Sequence, residues 1–259
     1  MPGYAMTFAD ALSPAAILVH AAIIIFAALV HGTIGIGFPM IATPLLAMVG
    51  DVRSAILLLV LPTMTINVAN IVKGGRWGRS IALYWPLAAY GVVGSFIGTR
   101  LLVDFSPEPF RPLMAAMLAL YLNAGRLGVG FAWVRRHPRL AFACFGLAGG
   151  ILAGTVNVML PVLIIYALEV KMPKTVMIQV FNFCFLMGKL TQGAVLVQAD
   201  LMTMDLFKAS LAMAGLGLTV MLAGMRIRDR IPTDAYRRWL RRLLVLMAVV
   251  LLVQYVAAP

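Results

Sequence analysis

Apolar residues run along this chain in long, nearly unbroken stretches joined by short polar connections, a pattern that neither a half-buried sheet nor an amphipathic soluble helix produces. The stretches predict ten helical segments. In the first half they run from Pro14 to Val30, Phe38 to Val49, Ser54 to Val72, Ile81 to Leu102 and Arg111 to Asn123. In the second half they run from Arg139 to Ile151, Val158 to Leu168, Lys174 to Gln198, Leu206 to Met225 and Arg238 to Val256. A straight span needs about 20 residues to cross about 30 Å of hydrocarbon, so the segments from Phe38 and Val158 are too short. At about 1.5 Å per residue each covers about half a bilayer, as a half-helix or re-entrant element packed inside protein does. The expected fold is an all-α polytopic membrane protein of two repeats, residues 1–130 and 131–259. Each repeat holds about five segments, the first two of them short or broken at glycine and proline.

The interruptions recur. His31-Gly32-Thr33-Ile34-Gly35-Ile36-Gly37-Phe38-Pro39 and Gly149-Gly150-Ile151-Leu152-Ala153-Gly154-Thr155-Val156-Asn157 occupy equivalent places in the two halves. A shift of 117 residues carries Gly32 to Gly149, Gly37 to Gly154 and Pro44 to Pro161; at 126, Gly98-Thr99-Arg100 meets Gly224-Met225-Arg226. Paired, interrupted hydrophobic segments are how a transporter built from repeats marks its substrate site. The alternative is that these glycines only let helices approach closely, as small residues do in membranes.

Composition agrees with membrane residence: 63% of residues are hydrophobic, 12% are charged and the mean hydropathy is +0.99. All nine acids lie at or near the ends of apolar stretches, and among charged residues only Lys189 sits well inside one. The net charge of +12 is carried by short connections, which argues against a nucleic-acid partner and for contact with membrane lipid. With the N-terminus outside and every segment changing side, sixteen Lys and Arg residues fall on the cytoplasmic face. The opposite face receives only Arg53, Arg100, Arg111 and Lys208, so both termini are expected outside a bacterial cytoplasmic (inner) membrane. The odd number of segments per half makes the two repeats inverted. Re-entrant hairpins would leave that parity unchanged, so charge does not separate five crossings per half from three. No cleaved secretory signal is expected, and Cys144 and Cys184 read as packing residues rather than a disulfide.

Backbone N–H groups at helix starts near the breaks would form an anion site without any charged side chain. The expected substrate contacts there are His31, Gly32, Thr33, Gly35, Gly37 and Phe38 at the first break, and Gly154, Thr155 and Asn157 at the second. Thr63, Asn67 and Asn70 follow i, i+4, i+7 on the third segment, while Gln179, Asn182 and Lys189 cluster on one face of its counterpart. Asn67, Asn70, Gln179 and Asn182 are expected to line the path, and Lys189 to supply its charge. The other reading of Lys189 is a structural contact with helix C-terminal carbonyls. His31 would serve either as a donor and proton-linked switch or as a packing residue. No cofactor or metal is expected, and with no paired acids, HExxH or nucleophile-base set in the apolar runs the chain is not read as an enzyme. A homodimer is left open.

The glycine-broken helix leading to Pro44-Leu45-Leu46, the Arg53-Ser54-Ala55 helix start with Asn67 after it, and their echo through Pro161-Val162-Leu163 and Pro173 to Asn182 resemble the TauE/SafE sulfite exporter family, also described as the 4-toluene sulfonate uptake permease family. The resemblance covers nearly the whole chain. It implies transport, often outward, of sulfite, an organosulfonate or a related small anion, by alternating access around a midplane site. An anion channel, or a carrier of another organic anion such as a carboxylate, is the alternative. This chain departs from the family pattern where consecutive glycines are diluted to Gly35-Ile36-Gly37-Phe38 and Gly154-Thr155-Val156-Asn157.

Overall fold

A computed structural model describes residues 14–35, 37–73, 77–127, 131–227 and 233–257, with side chains for all of these except 14, 125–127 and 233–240. The described residues form helices and no strands. The first half comprises α1 (Pro14–Ile34), α2 (Phe38–Val49), α3 (Val52–Leu58), α4 (Val60–Lys73), α5 (Trp77–Asp104) and α6 (Phe110–Leu127). A short connector, α7 (Ala132–Arg136), leads to α8 (Pro138–Val156), α9 (Leu160–Glu169), α10 (Lys174–Gln198), α11 (Met204–Ile227) and α12 (Thr233–Val256). The basic residues expected at Arg76, Arg126, Arg228, Arg230, Arg237 and Arg238 lie outside the described backbone or side chains.

Each expected segment is helical, with two differences. The connector α7 has no counterpart in the apolar pattern. The segment from Ser54 to Val72 is not one helix but a pair, α3 and α4, bent by 49°. Pro62 causes the bend: it has no N–H to give to the carbonyl four residues back, Leu58. Ser210 of α11 repairs the gap, its hydroxyl donating to Leu58 O at 2.9 Å and accepting from Leu61 N–H at 3.2 Å.

α1, α5, α8, α10 and α11 are long and apolar enough to cross a membrane, and α3 with α4 make a sixth span if the bent pair is one. The central helix is α10, where 61% of the apolar window is buried against 33–39% for the other four. α2 and α9, at 12 and 10 residues, reach only about 18 Å and 15 Å and are mostly buried, as the short segments require.

The breaks fall later than the glycine pattern suggests. Gly32 lies inside α1, where a Cβ would meet Met221 O at 2.4 Å, and the chain turns instead at Gly35 (φ 91°) and Gly37 (φ 99°), conformations glycine adopts freely. In the second half Gly149, Gly150 and Gly154 lie inside α8, and the turn is made by Asn157 in the left-handed region (φ 60°). The helix ends therefore set a register of 122 rather than 117 residues. It lays Gly32-Thr33 on Gly154-Thr155, Gly35 on Asn157, and Phe38-Pro39 on Leu160-Pro161, both pairs opening a short helix.

Helix contacts come in exchanged pairs. α8 packs along α5 of the other half, and α1 along α11. Both are backbone-close seams: a Cβ on Gly98 would lie 2.2 Å from Ile151 O, on Gly94 2.3 Å from Leu147 O and on Gly150 2.2 Å from Gly91 O. On the other seam Gly224 meets Leu29 O at 3.0 Å, and Leu29 is the 122-residue counterpart of Ile151. Contact order gives direction. α5 runs parallel to α8 and α1 parallel to α11, whereas α4 runs antiparallel to α10, since Val60 and Met64 meet Gly193 while Asn70 meets Asn182.

The outer faces of the spans carry large apolar side chains such as Leu83, Trp85, Phe96, Leu211 and Val253. Polar anchors sit at helix ends. Arg53 donates to the C-terminal carbonyls of α5 at Leu102, Val103 and Phe105, and Arg111 donates to Gly50 O, where the helix dipole favours a cation. The buried Glu169 carboxylate pairs with Arg135 at 3.1 Å and accepts from Phe131 N–H. Cys144 and Cys184 are both free.

Candidate anion-binding site

The two breaks and the polar faces of α4 and α10 come together. Around the first break, His31 is fully buried and its Nδ1 accepts from Phe38 N–H at 3.0 Å, so the imidazole spans the Gly35–Gly37 turn and caps α2. The Asn70 side-chain amide lies against His31 Nε2. Asn70 Nδ2 donates to Asn182 Oδ1 at 3.3 Å, and Asn182 Nδ2 donates to Ile178 O at 2.7 Å and to Gly35 O at 3.3 Å. One polar layer thus ties α1, the break, α4 and α10. His31 Nδ1 is an acceptor committed to Phe38, not a donor to substrate, and the Phe38 amide is already occupied.

Around the second break, Asn157 donates from Nδ2 to the buried Thr43 hydroxyl at 2.8 Å, linking the turn after α8 to α2. Lys189 is 3% exposed and donates to Gln192 Oε1, and Gln192 Nε2 donates to Ala153 O at 3.1 Å and Gly154 O at 2.9 Å, carbonyls of the last turn of α8. Lys189 thus lines a cavity and is tied through Gln192 to helix C-terminal carbonyls. Among the described residues no carboxylate lies within ion-pair distance of it.

Pro39, Thr63, Asn157, Phe185, Lys189 and Gln192 line a small cavity of about 10 Å³, room for roughly one water. Thr63 Oγ1 and both polar atoms of the neighbouring Asn67 are buried without a hydrogen-bond partner. In the 122-residue register Asn67 is the counterpart of Lys189 and Asn70 that of Gln192. The residue types differ, yet the roles match: Asn70 and Gln192 each reach the end of the preceding broken helix, at His31 and Ala153.

The remaining candidates divide. Gln179 is buried and accepts from Ser80 at 2.6 Å, beside the cleft described below. Thr33 and Thr155 turn their hydroxyls back onto Val30 O and Ile151 O, a common habit of threonine in apolar helices, and so do not present them to a ligand. Gly154 faces a neighbouring helix rather than a cavity, since a Cβ there would meet Thr99 N at 2.5 Å, whereas Gly32 packs on α11 and its backbone borders the cleft described below. Gln192 joins the site unexpectedly, although its i, i+3 spacing from Lys189 was a signal. Thr63 is placed there by the face it shares with Asn67, and Thr43, a candidate donor beside the first break, accepts from Asn157.

Together, a helical bundle with several helices long and apolar enough to cross a membrane and a buried polar centre at two broken helices define a multi-pass membrane protein, which the family match makes a transporter rather than an enzyme. The chain matches the family model for sulfite exporter TauE/SafE over residues 20–253 and belongs to that family. No curated protein and no solved structure matches it significantly.

Proposed function

We propose that the protein is a carrier for a small sulfur-containing anion such as sulfite or an organosulfonate, working outward across a bacterial cytoplasmic membrane by alternating access of two inverted halves. The observation that carries this reading is the pair formed by the carboxylate-free Lys189 and the unpartnered Thr63 on one cavity, with the unpartnered Asn67 one turn from Thr63 on α4. An ammonium out of water needs a counter-charge and buried polar groups need partners, and an oxyanion supplies both. Inversion is supported by helix direction: α1 follows α11 and α4, α8 follows α5 and α10, and α4 opposes α10. The 10 Å³ cavity is too small for any such anion, which favours a carrier that must reshape over a standing pore. With the interior negative, outward movement of one negative charge gains about 2.3 kcal/mol per 100 mV.

Flux into proteoliposomes of sulfite, methanesulfonate, taurine, sulfate and acetate, at imposed potentials of both signs, tests the proposal. Saturable counterflow of a sulfur oxyanion is expected; no binding and no flux for every anion would overturn it. Thr63→Val should weaken anion affinity by about 0.5–1.5 kcal/mol, the net worth of one hydrogen bond, without lowering the melting temperature of the anion-free protein. Loss of stability with unchanged affinity would mark Thr63 as structural.

A further inference from the structure

A second polar concavity lies beside the first break. It is a cleft of about 180 Å³ lined by Asn70, Lys73, Lys174, Thr175, Gln179 and neighbouring backbone at Gly32 and Gly35. Its floor consists of the buried amides of Asn70 and Gln179, and its rim carries two exposed lysines, one ending α4 and one opening α10. Among the described residues neither lysine has a carboxylate within ion-pair distance. The start of α10 lacks a side-chain cap, so its dipole adds positive potential to that of the two ammonium groups. Two like charges facing one concavity repel until an anion lies between them.

The cleft and the inner cavity are neighbours, not one space. Asn70 lines the first and Thr63 the second, about 10 Å apart along α4; on α10 the corresponding residues are Gln179 and Lys189, about 15 Å apart. Between them stands the layer of His31, Asn70, Asn182 and Gly35 O. The cleft has room for a sulfonate-sized anion while the inner cavity does not.

We propose that this cleft is a separate capture station for the transported oxyanion, held by Lys73, Lys174 and the first turn of α10 ahead of the closed polar layer. The inference rests on the carrier reading above. It gives the basic face of the protein its own loading site, distinct from the one at Lys189. Attraction there is partly exposed to solvent and so falls with salt, within a Debye length of about 8 Å at physiological ionic strength.

The test is sided flux of methanesulfonate in oriented proteoliposomes of zwitterionic lipid, for wild type, Lys73→Gln/Lys174→Gln and Lys73→Arg/Lys174→Arg. For the glutamine variant KM from the cleft side should rise about three- to tenfold at low salt, with maximal rate and KM from the far side unchanged. The arginine variant should keep the wild-type KM. Adding anionic lipid separates a phosphate headgroup from the free anion. Unchanged wild-type KM identifies the free anion as the occupant, whereas a rise in KM to that of the glutamine variant assigns the cleft to lipid and overturns the proposal. An unchanged KM for the glutamine variant, or an equal rise from both faces, would also overturn it. Wild-type protein that moves no sulfur oxyanion would instead sink the carrier reading itself.

Discussion

Lys189→Gln is expected to abolish measurable anion binding and flux while leaving a folded protein with an unchanged or raised melting temperature. The two halves of that result have one cause. In the anion-free protein the ammonium is removed from water and, among the described residues, hydrogen-bonded to Gln192 with no carboxylate at ion-pair distance, so neutralising it relieves a desolvation penalty. On the proposed carrier reading the same ammonium would be the counter-charge of the bound anion, and deleting one partner of a buried ion pair costs about 2–5 kcal/mol, or about 30- to 4,000-fold in affinity. Isothermal titration with methanesulfonate, alongside thermal unfolding in detergent, reads both. If Lys189 serves only to hold Gln192 against the last turn of α8, the signs reverse: the melting temperature falls and affinity persists.

Gly98→Val should prevent assembly of the folded bundle. Its Cβ would lie 2.2 Å from Ile151 O, and no rotamer change moves a backbone carbonyl. α5 and α8 would have to separate along a seam where Gly94 and Gly150 are equally close to the facing backbone. Overpacking a core ordinarily costs about 1–3 kcal/mol, and here several contacts open together. Gly215→Val is the control: its Cβ meets nothing within 4 Å, and a change of about 0.5 kcal/mol or less is expected. Size-exclusion profiles and melting curves of the two variants give the comparison, and a Gly98→Val protein that melts like wild type would show the seam to be looser than its geometry.

Much of this arrangement was legible in the chain. Length alone marked the segments from Phe38 and Val158 as too short to span, and lone charge marked Lys189. The glycine-rich stretch of the second half misled because glycine serves two physical ends in membranes: it permits a turn, and it permits contact. Gly150 and Gly154 serve contact with α5 and Gly149 makes room for the Met159 side chain, while the turn itself fell to Asn157, a residue whose tolerance of left-handed backbone is weaker and so less conspicuous. The 117-residue spacing followed the glycines, whereas the helix ends Ile34 and Val156, and the helix starts Phe38 and Leu160, lie 122 residues apart. Local pattern also could not reveal His31 as an acceptor, because that role depends on Phe38 N–H returning to it across the break. The bend at Pro62 was missed in reading Ser54 to Val72 as one segment, and its repair by Ser210 required knowing that α11 passes there.

That repair makes two distant positions answer for one another. A proline without the serine leaves a carbonyl and an amide stranded in an apolar interior, and a serine without the proline has lost the acceptor that fixes its hydroxyl. Neither can be exchanged alone at little cost, although both together can give way to a straight helix. The angle between α3 and α4 is therefore the joint property of two residues 148 positions apart, and a double-mutant cycle across them should show coupling.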